Sequence, residues 1–230
     1  MTKSRYEDLQ DRLCNPGALC PENLLDMLHE CEAACTRCRL WESATQTVRG
    51  SGPASARLMI VGGQPGEEED LSGRPFAGRA RAMLHEVLRR AGLGLQDVYF
   101  TNAVKHRSPA TASDDTRETP EPLAEEIDAC RRWFEGEVAI VKPEVVLCVG
   151  SLAAKAVLGF HVDLPRERGR VFHPGFVGAV MVTVDPSPVP AQTEEAQERA
   201  LKDLLDEVYE VAEFLGVSDP FKGRDELAQL

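Results

Sequence analysis

The chain has 230 residues, 43% apolar and 28% charged, which suits one large α/β domain or one domain with a small appendage. No apolar run approaches the roughly 20 residues that cross a bilayer, and the charged, polar N-terminus has no apolar signal core, so a membrane role is excluded and a cytoplasmic location is expected. A net charge of −12 counts against a chain that coats nucleic acid, yet base collects locally at Arg74, Arg79 and Arg81, at Lys105-His106-Arg107, at Arg131-Arg132, and at Arg166, Arg168 and Arg170.

In chain order, residues 21–38 read as a helix running into a C-x-x-C turn. Residues 57–62 form a short apolar run ending in glycines, as a buried parallel strand does. A helix follows over 80–91, with Met83, Leu84, Val87 and Leu88 on one face and Gly92 as its stop. A second strand covers 98–104, then a polar, acid- and proline-rich loop over 108–122, long enough to suggest a function. A third helix over 123–141 leads to a strand at 144–150, and Ser151 is read as the cap of a helix ending at Leu158. A fourth strand at 179–184 and an amphipathic helix at 194–215 complete the pattern. Strands alternating with helices predict a parallel sheet covered on both faces. Three units are expected: an N-terminal helical extension (1–34), an αβα domain (35–215) and a polar tail (216–230).

Seven cysteines occur, at positions 14, 20, 31, 35, 38, 130 and 148. An odd number without a secretory signal argues for metal, catalysis or burial rather than a disulfide framework. Cys35-Thr36-Arg37-Cys38 puts two thiolates on one turn, a pairing that favours zinc or an iron–sulfur cluster. No second close pair follows, so the remaining ligands come from far along the chain, with Cys130 as one. Cys148 lies in an apolar strand and reads as core. The spacing Cys31-x₃-Cys35-x₂-Cys38 also fits a radical-SAM cluster, a reading that predicts a barrel of six or more strands.

In parallel sheets ligands bind beyond the carboxyl ends of the strands, and three such ends carry chemistry. The first gives Gly62-Gly63-Gln64-Pro65-Gly66 and then Gly73-Arg74-Pro75-Phe76; the second gives Thr101-Asn102 through His106; the fourth gives Asp185-Pro186-Ser187. Neither G-x-G-x-x-G nor a Walker A loop is present, so nucleotide binding has no specific support. An amide at a strand end opposite an exposed-looking Phe76 is the pairing a base pocket needs: the amide reads the hydrogen-bonding edge and the ring stacks on the face.

These blocks together resemble the uracil-DNA glycosylase superfamily, specifically its iron–sulfur family 4 and UdgX-like branch. They are C-T-R-C-R-L, G-x-x-P-G-E-E-E-D-L-x-G-R-P-F-x-G, Y-F-T-N-A-V-K-H, A-C-R-R-W, V-V-L-C-V-G and D-P-S, spanning residues 35 to 215. The resemblance implies a three-layer αβα sandwich on a four-stranded parallel sheet, a [4Fe–4S] cluster that ties on the N-terminal segment, and hydrolytic removal of uracil, or another deaminated base, flipped out of DNA. It implies that Phe76 stacks on the base and that Asn102 bonds its edge and rejects cytosine. Gly62, Gly63, Gln64, Pro65, Gly66 and Ser187 would complete the substrate site, with glycine N–H groups holding a uracil oxygen or a phosphate. The protein is expected to act as a monomer on damaged DNA in the nucleoid, with steeply salt-dependent binding confined to one face.

Two departures matter. Gly63 stands where the family has a glutamate, and Asp185 where it has a histidine expected to stabilise charge on the leaving uracil. An ionised Asp185 would repel that charge; it would instead activate water or stabilise the sugar cation, as carboxylates do in glycoside hydrolysis. The alternative is a weak or inactive reader of damaged DNA on the same fold. For the cluster, the family's fourth cysteine is replaced by His106, giving Cys35, Cys38, His106 and Cys130, with Cys31 as the rival. Residues 108–129 contain no histidine, so the covalent capture of the related branch is not expected.

Overall fold

Strand β1 (Leu58–Gly62) is buried at every position and is an interior strand of the sheet, as a continuous apolar run should be. It pairs in parallel with β2 (Val98–Asn102) on one side and β3 (Val145–Val149) on the other; β3 pairs in parallel with β5 (Ala179–Thr183). The computed structural model describes residues 20–109, 119–185 and 194–217. The sheet order is β2-β1-β3-β5-β4, so among the described residues it has five strands rather than four. The extra one, β4 (Val171–Phe172), is a two-residue antiparallel edge on β5. It is partly exposed and too short to leave a periodic signature, which is why sequence patterning passes over it.

Alternate strand residues serve opposite faces. On one face Met59, Val61, Tyr99, Val146 and Val180 pack beneath helices α1 (Pro21–Ala33), α4 (Ala124–Val141) and α5 (Ser151–Leu158). On the other, Leu58, Ile60, Phe100, Leu147 and Met181 meet α3 (Arg79–Arg90) and α7 (Glu194–Phe214). Two short helices, α2 (Glu67–Ser72) and α6 (Leu164–Glu167), sit in the connections. The result is the expected αβα sandwich.

Helix α1 shares the main core: Leu24, Leu25 and Leu28 are buried in the same apolar cluster as Trp133 and Phe134 of α4. Full burial of a leucine contributes on the order of 2 kcal/mol. Gly136 permits the approach, because a Cβ there would come within 3.0 Å of Leu28 Cδ1. Helix α1 stops at Ala33 instead of continuing to 38, so Cys35 and Cys38 lie on non-helical backbone before a 3-10 turn at Arg39–Glu42. The cap of α5 is Gly150 (φ 88°), not Ser151, which is already helical. A left-handed residue is needed to turn the end of β3 into the helix, and glycine adopts it without penalty.

Candidate base pocket and metal centre

The ends of β1, β2 and β5 converge on a small cleft walled by Gly62, Gly63, Glu69, Phe76, Asn102 and Asp185. Asn102 ends β2 in register with Gly62 and is 2% exposed. Its Nδ2 donates to Glu69 Oε1 at 3.0 Å. The same oxygen accepts the Phe76 backbone N–H at 2.5 Å, and Glu69 Oε2 accepts the Gly66 N–H at 2.7 Å. A carboxylate only accepts, so the amide nitrogen of Asn102 must face it and the flip of the side chain is fixed. Its Oδ1 then lies over Gly62, where any Cβ would collide with it. Burial pushes the Glu69 carboxyl above its usual range; its N–H partners pull it down, and the nearby Asp185 adds to the rise.

Phe76 is buried rather than exposed, at 6%, and holds a left-handed backbone (φ 53°) that bulky residues rarely adopt. The Glu69 bond to its N–H fixes that conformation. Its ring packs edge-on to Phe100, with centroids 5.9 Å apart.

The other expected contacts divide. A Cβ on Gly63 would lie 2.8–3.0 Å from Leu152 Cδ2, Cγ and Cβ, so Leu152 occupies the ground from which a glutamate would project. Gly66 spends its N–H on Glu69 and is not available to a ligand, contrary to the expected glycine nest. Buried Pro65 lies outside the cleft wall. Gln64 borders the cleft, but its amide joins the two ends of the long loop: Nε2 donates to the Pro120 carbonyl at 2.9 Å, and Oε1 accepts the Ser108 N–H at 3.3 Å. Asp185 stands two residues past β5, beside Gly150, whose Cβ position would be 3.4 Å from Asp185 Cβ. Ser187 lies outside the described residues.

Glu69 is the pocket residue that sequence reasoning missed. Its signal was present as a glutamate three residues after Gly66 at the start of a helix, the position that reaches back to the cap N–H. Along the chain it is one of four consecutive acids, and nothing in that run marks it as the one that turns inward.

On the other side of β2, three of the expected cluster ligands have donors directed at sulfur. Trp133 Nε1 donates to Cys35 Sγ at 3.3 Å, and the Lys105 N–H approaches Cys130 Sγ at 3.5 Å. A hydrogen bond between Cys38 and Cys130 lowers the Cys38 thiol to about 6 and pushes Cys130 well up. His106 is buried, and its Nε2 lies 3.0 Å from Thr47 Oγ1. Thr47 gives its single proton to the Glu32 carbonyl at 3.2 Å, so it must accept from His106 Nε2–H. That leaves a bare lone pair on Nδ1, which is buried and has no partner among the described residues. Burial lowers the His106 pKa and favours the neutral ring a metal requires. Three thiols and a neutral imidazole are donor types that an iron–sulfur centre takes, and Cys38 and Cys130 are in hydrogen-bond contact. Cys31 lies on α1, and Cys148 is fully buried core, its thiol pushed up by burial alone.

The expected basic patch is smaller than the sequence suggests. Lys105 is 0% exposed and ion-paired with Glu137 at 2.8 Å. Arg168 bridges Asp203 and Glu207, and Arg170 pairs with Glu167. Arg74 and Arg81 remain beside the pocket loop, Arg81 bonding the Pro75 carbonyl and lying 5.0 Å from the Phe100 ring centroid. His173 holds the Gly178 carbonyl at 2.8 Å and closes its own loop. No described helix is long and apolar enough to cross a membrane. The radical-SAM expectation fails on the fold, since the described sheet is open and has five strands rather than forming a barrel.

Comparison with known proteins agrees with this geometry. The sequence model of the uracil DNA glycosylase superfamily matches residues 49–208. A type-4 uracil-DNA glycosylase of Thermotoga maritima is 35% identical over 169 residues, covering 68% of this chain and 84% of the relative. A type-4 uracil-DNA glycosylase of Archaeoglobus fulgidus is 32% identical over 155 residues, covering 66% and 73%. A type-5 uracil-DNA glycosylase of Pyrobaculum aerophilum is 30% identical over 168 residues, covering 66% and 69%. With a family match over most of its length and an amide-and-ring pocket at the strand ends, the chain belongs to the uracil-DNA glycosylase superfamily.

Proposed function

We propose that the protein hydrolyses the N-glycosidic bond of uracil, or a closely related deaminated base, flipped out of DNA. The observation that carries this reading is the locked Asn102 amide. With Nδ2 turned to Glu69, Oδ1 is available to accept from uracil N3–H, and the second Nδ2 hydrogen can donate to O4. Cytosine presents the opposite pattern at both atoms and is rejected, while Phe76 packs against the base. The unstacked base would enter from a backbone held near Arg74 and Arg81, consistent with a basic footprint limited to one face.

Asp185 takes the catalytic role in this reading. It cannot donate a hydrogen bond to the departing uracil when ionised, so its contribution is to the sugar side: it orients and deprotonates the attacking water and stabilises positive charge developing at C1′. Loss of the family's histidine removes an electrostatic partner of the leaving group, an effect of order 10²–10³ in rate. A slow enzyme is therefore expected, and the second reading, a damage reader without turnover, rests on the same substitution.

Cys35, Cys38, His106 and Cys130 would hold a [4Fe–4S] cluster. When bound, such a group supplies a rigid polynuclear link, less negative with an imidazole ligand than with four thiolates. The chain's own contribution is to fix the Cys35–Cys38 segment against β2, four residues from Asn102. Residues 35–215 would then be the catalytic unit, with 1–34 as the N-terminal extension and 216–230 as a tail, and the monomer would act on DNA in the nucleoid.

The test is base release from single-stranded oligonucleotides carrying one uracil or one hypoxanthine, with anaerobically purified protein and Asp185→Ala beside it. Release that disappears in the variant supports hydrolysis through Asp185. Selective binding of the damaged strand with no release would establish the reader instead.

A further inference from the structure

Beside the cysteine set, a second group of side chains lies buried between α1, α4 and β2. Glu32 is 0% exposed, and neither of its carboxylate oxygens has a hydrogen-bond partner among the described residues. That is unusual, because a buried carboxylate without partners costs several kcal/mol. His29, one turn earlier on α1, and Glu137 on α4 face the same point: one ligand atom from each of the three lies within 4.8 Å of the others.

Lys105 does not resolve the imbalance. Its ammonium bonds Glu137 Oε2 at 2.8 Å and Thr101 Oγ1 at 2.6 Å, and so balances Glu137. Glu137 has further donors in Thr101 and Tyr99, whereas Glu32 has only the distant fields of Lys105 and the exposed Arg49. Two buried carboxylates therefore share one buried ammonium. An imidazole and an unpartnered carboxyl group one helical turn apart, facing a second carboxylate, form a nitrogen-and-two-oxygen donor set suited to a borderline divalent cation.

We propose that His29, Glu32 and Glu137 form a second metal site, separate from the cysteine centre, that takes one zinc-type divalent cation and staples α1 to α4. The half-buried His29 gives the ion a path from solvent. A bound cation would give the Glu32 carboxylate the partner it lacks. The Tyr99 hydroxyl donates to Glu137 and so accepts from His29 Nε2–H at 3.1 Å; an ion bound at Nε2 would displace that proton, and the fourth position would fall to water. The inference does not depend on base release.

The probe is zinc alone. Holoprotein with its iron complement intact is dialysed against EDTA, then against zinc, and both metals are counted per chain by mass spectrometry. One zinc per chain at unchanged iron is expected, with a melting temperature raised by ~5 °C or more at zinc one-hundredfold above its Kd. Glu32→Gln and His29→Ala should each lose that zinc and that shift while keeping the iron; retained iron is the control that the variant folds. Two results would overturn the proposal: no zinc beyond the iron, or zinc that persists in both variants.

Discussion

Removing Glu69 tests whether this carboxylate, rather than Asn102 alone, sets base selectivity. Glu69→Ala deletes three N–H acceptor contacts at once, to Gly66, Phe76 and Asn102. A hydrogen bond to an ionised group contributes about 1.5–3 kcal/mol, so the Asn102 flip loses a preference worth roughly 10- to 150-fold. Selectivity for uracil over cytosine should fall by that factor, and Phe76 loses the bond that holds its left-handed backbone. Glu69→Gln is milder: its single oxygen can occupy the Oε1 position and keep Phe76 and Asn102, sacrificing only the Gly66 bond. About tenfold in rate is expected there, with selectivity nearly intact. The pH profile separates the two roles of the group. The lock requires ionised Glu69, whose folded pKa is raised by burial, so base release falls on acidification at a pH above that of an ordinary carboxylate. The stability contribution runs the other way: a raised pKa stabilises the fold at low pH and loses that contribution as pH rises through the folded value. Single-turnover release from uracil- and cytosine-containing strands, across pH, measures all of this. Wild-type selectivity in Glu69→Ala, with an acid limb unchanged in Glu69→Gln, would refute the argument.

Restoring the family's glutamate should fail for a steric reason. Gly63→Glu meets Leu152 at 2.8–3.0 Å and should destabilise by about 1–3 kcal/mol without raising base release, whereas adding Leu152→Ala should recover the melting temperature. Breaking the buried pair by Lys105→Met leaves Glu137 and Glu32 uncompensated and should cost roughly 3–5 kcal/mol in denaturant unfolding; an unchanged midpoint would contradict the burial. His106→Ala should lose iron, while His106→Cys should retain it at a lower reduction potential. Equal iron content in wild type and His106→Ala would return the fourth position to Cys31.

The alternation of apolar runs with amphipathic segments, the strand-end motifs and the C-x-x-C pair were all legible in the sequence, because burial on a parallel sheet and thiolate chemistry leave local patterns. So were Asn102, Phe76 and the departure at Asp185. What the linear pattern could not supply was partnership. Lys105 reads as part of a local basic cluster until α4 places Glu137 against it, and Glu69 is one acid in a run of four until α2 turns it back onto Gly66, Phe76 and Asn102. Leu152 gives no sign that it fills the space beside Gly63, and His106 becomes a ligand candidate on geometry only when Thr47, 59 residues earlier, fixes its tautomer. Burial is a property of composition and period and can be read along a chain. Hydrogen-bond polarity and charge balance depend on which segments the fold brings together, and only the tertiary structure decides them.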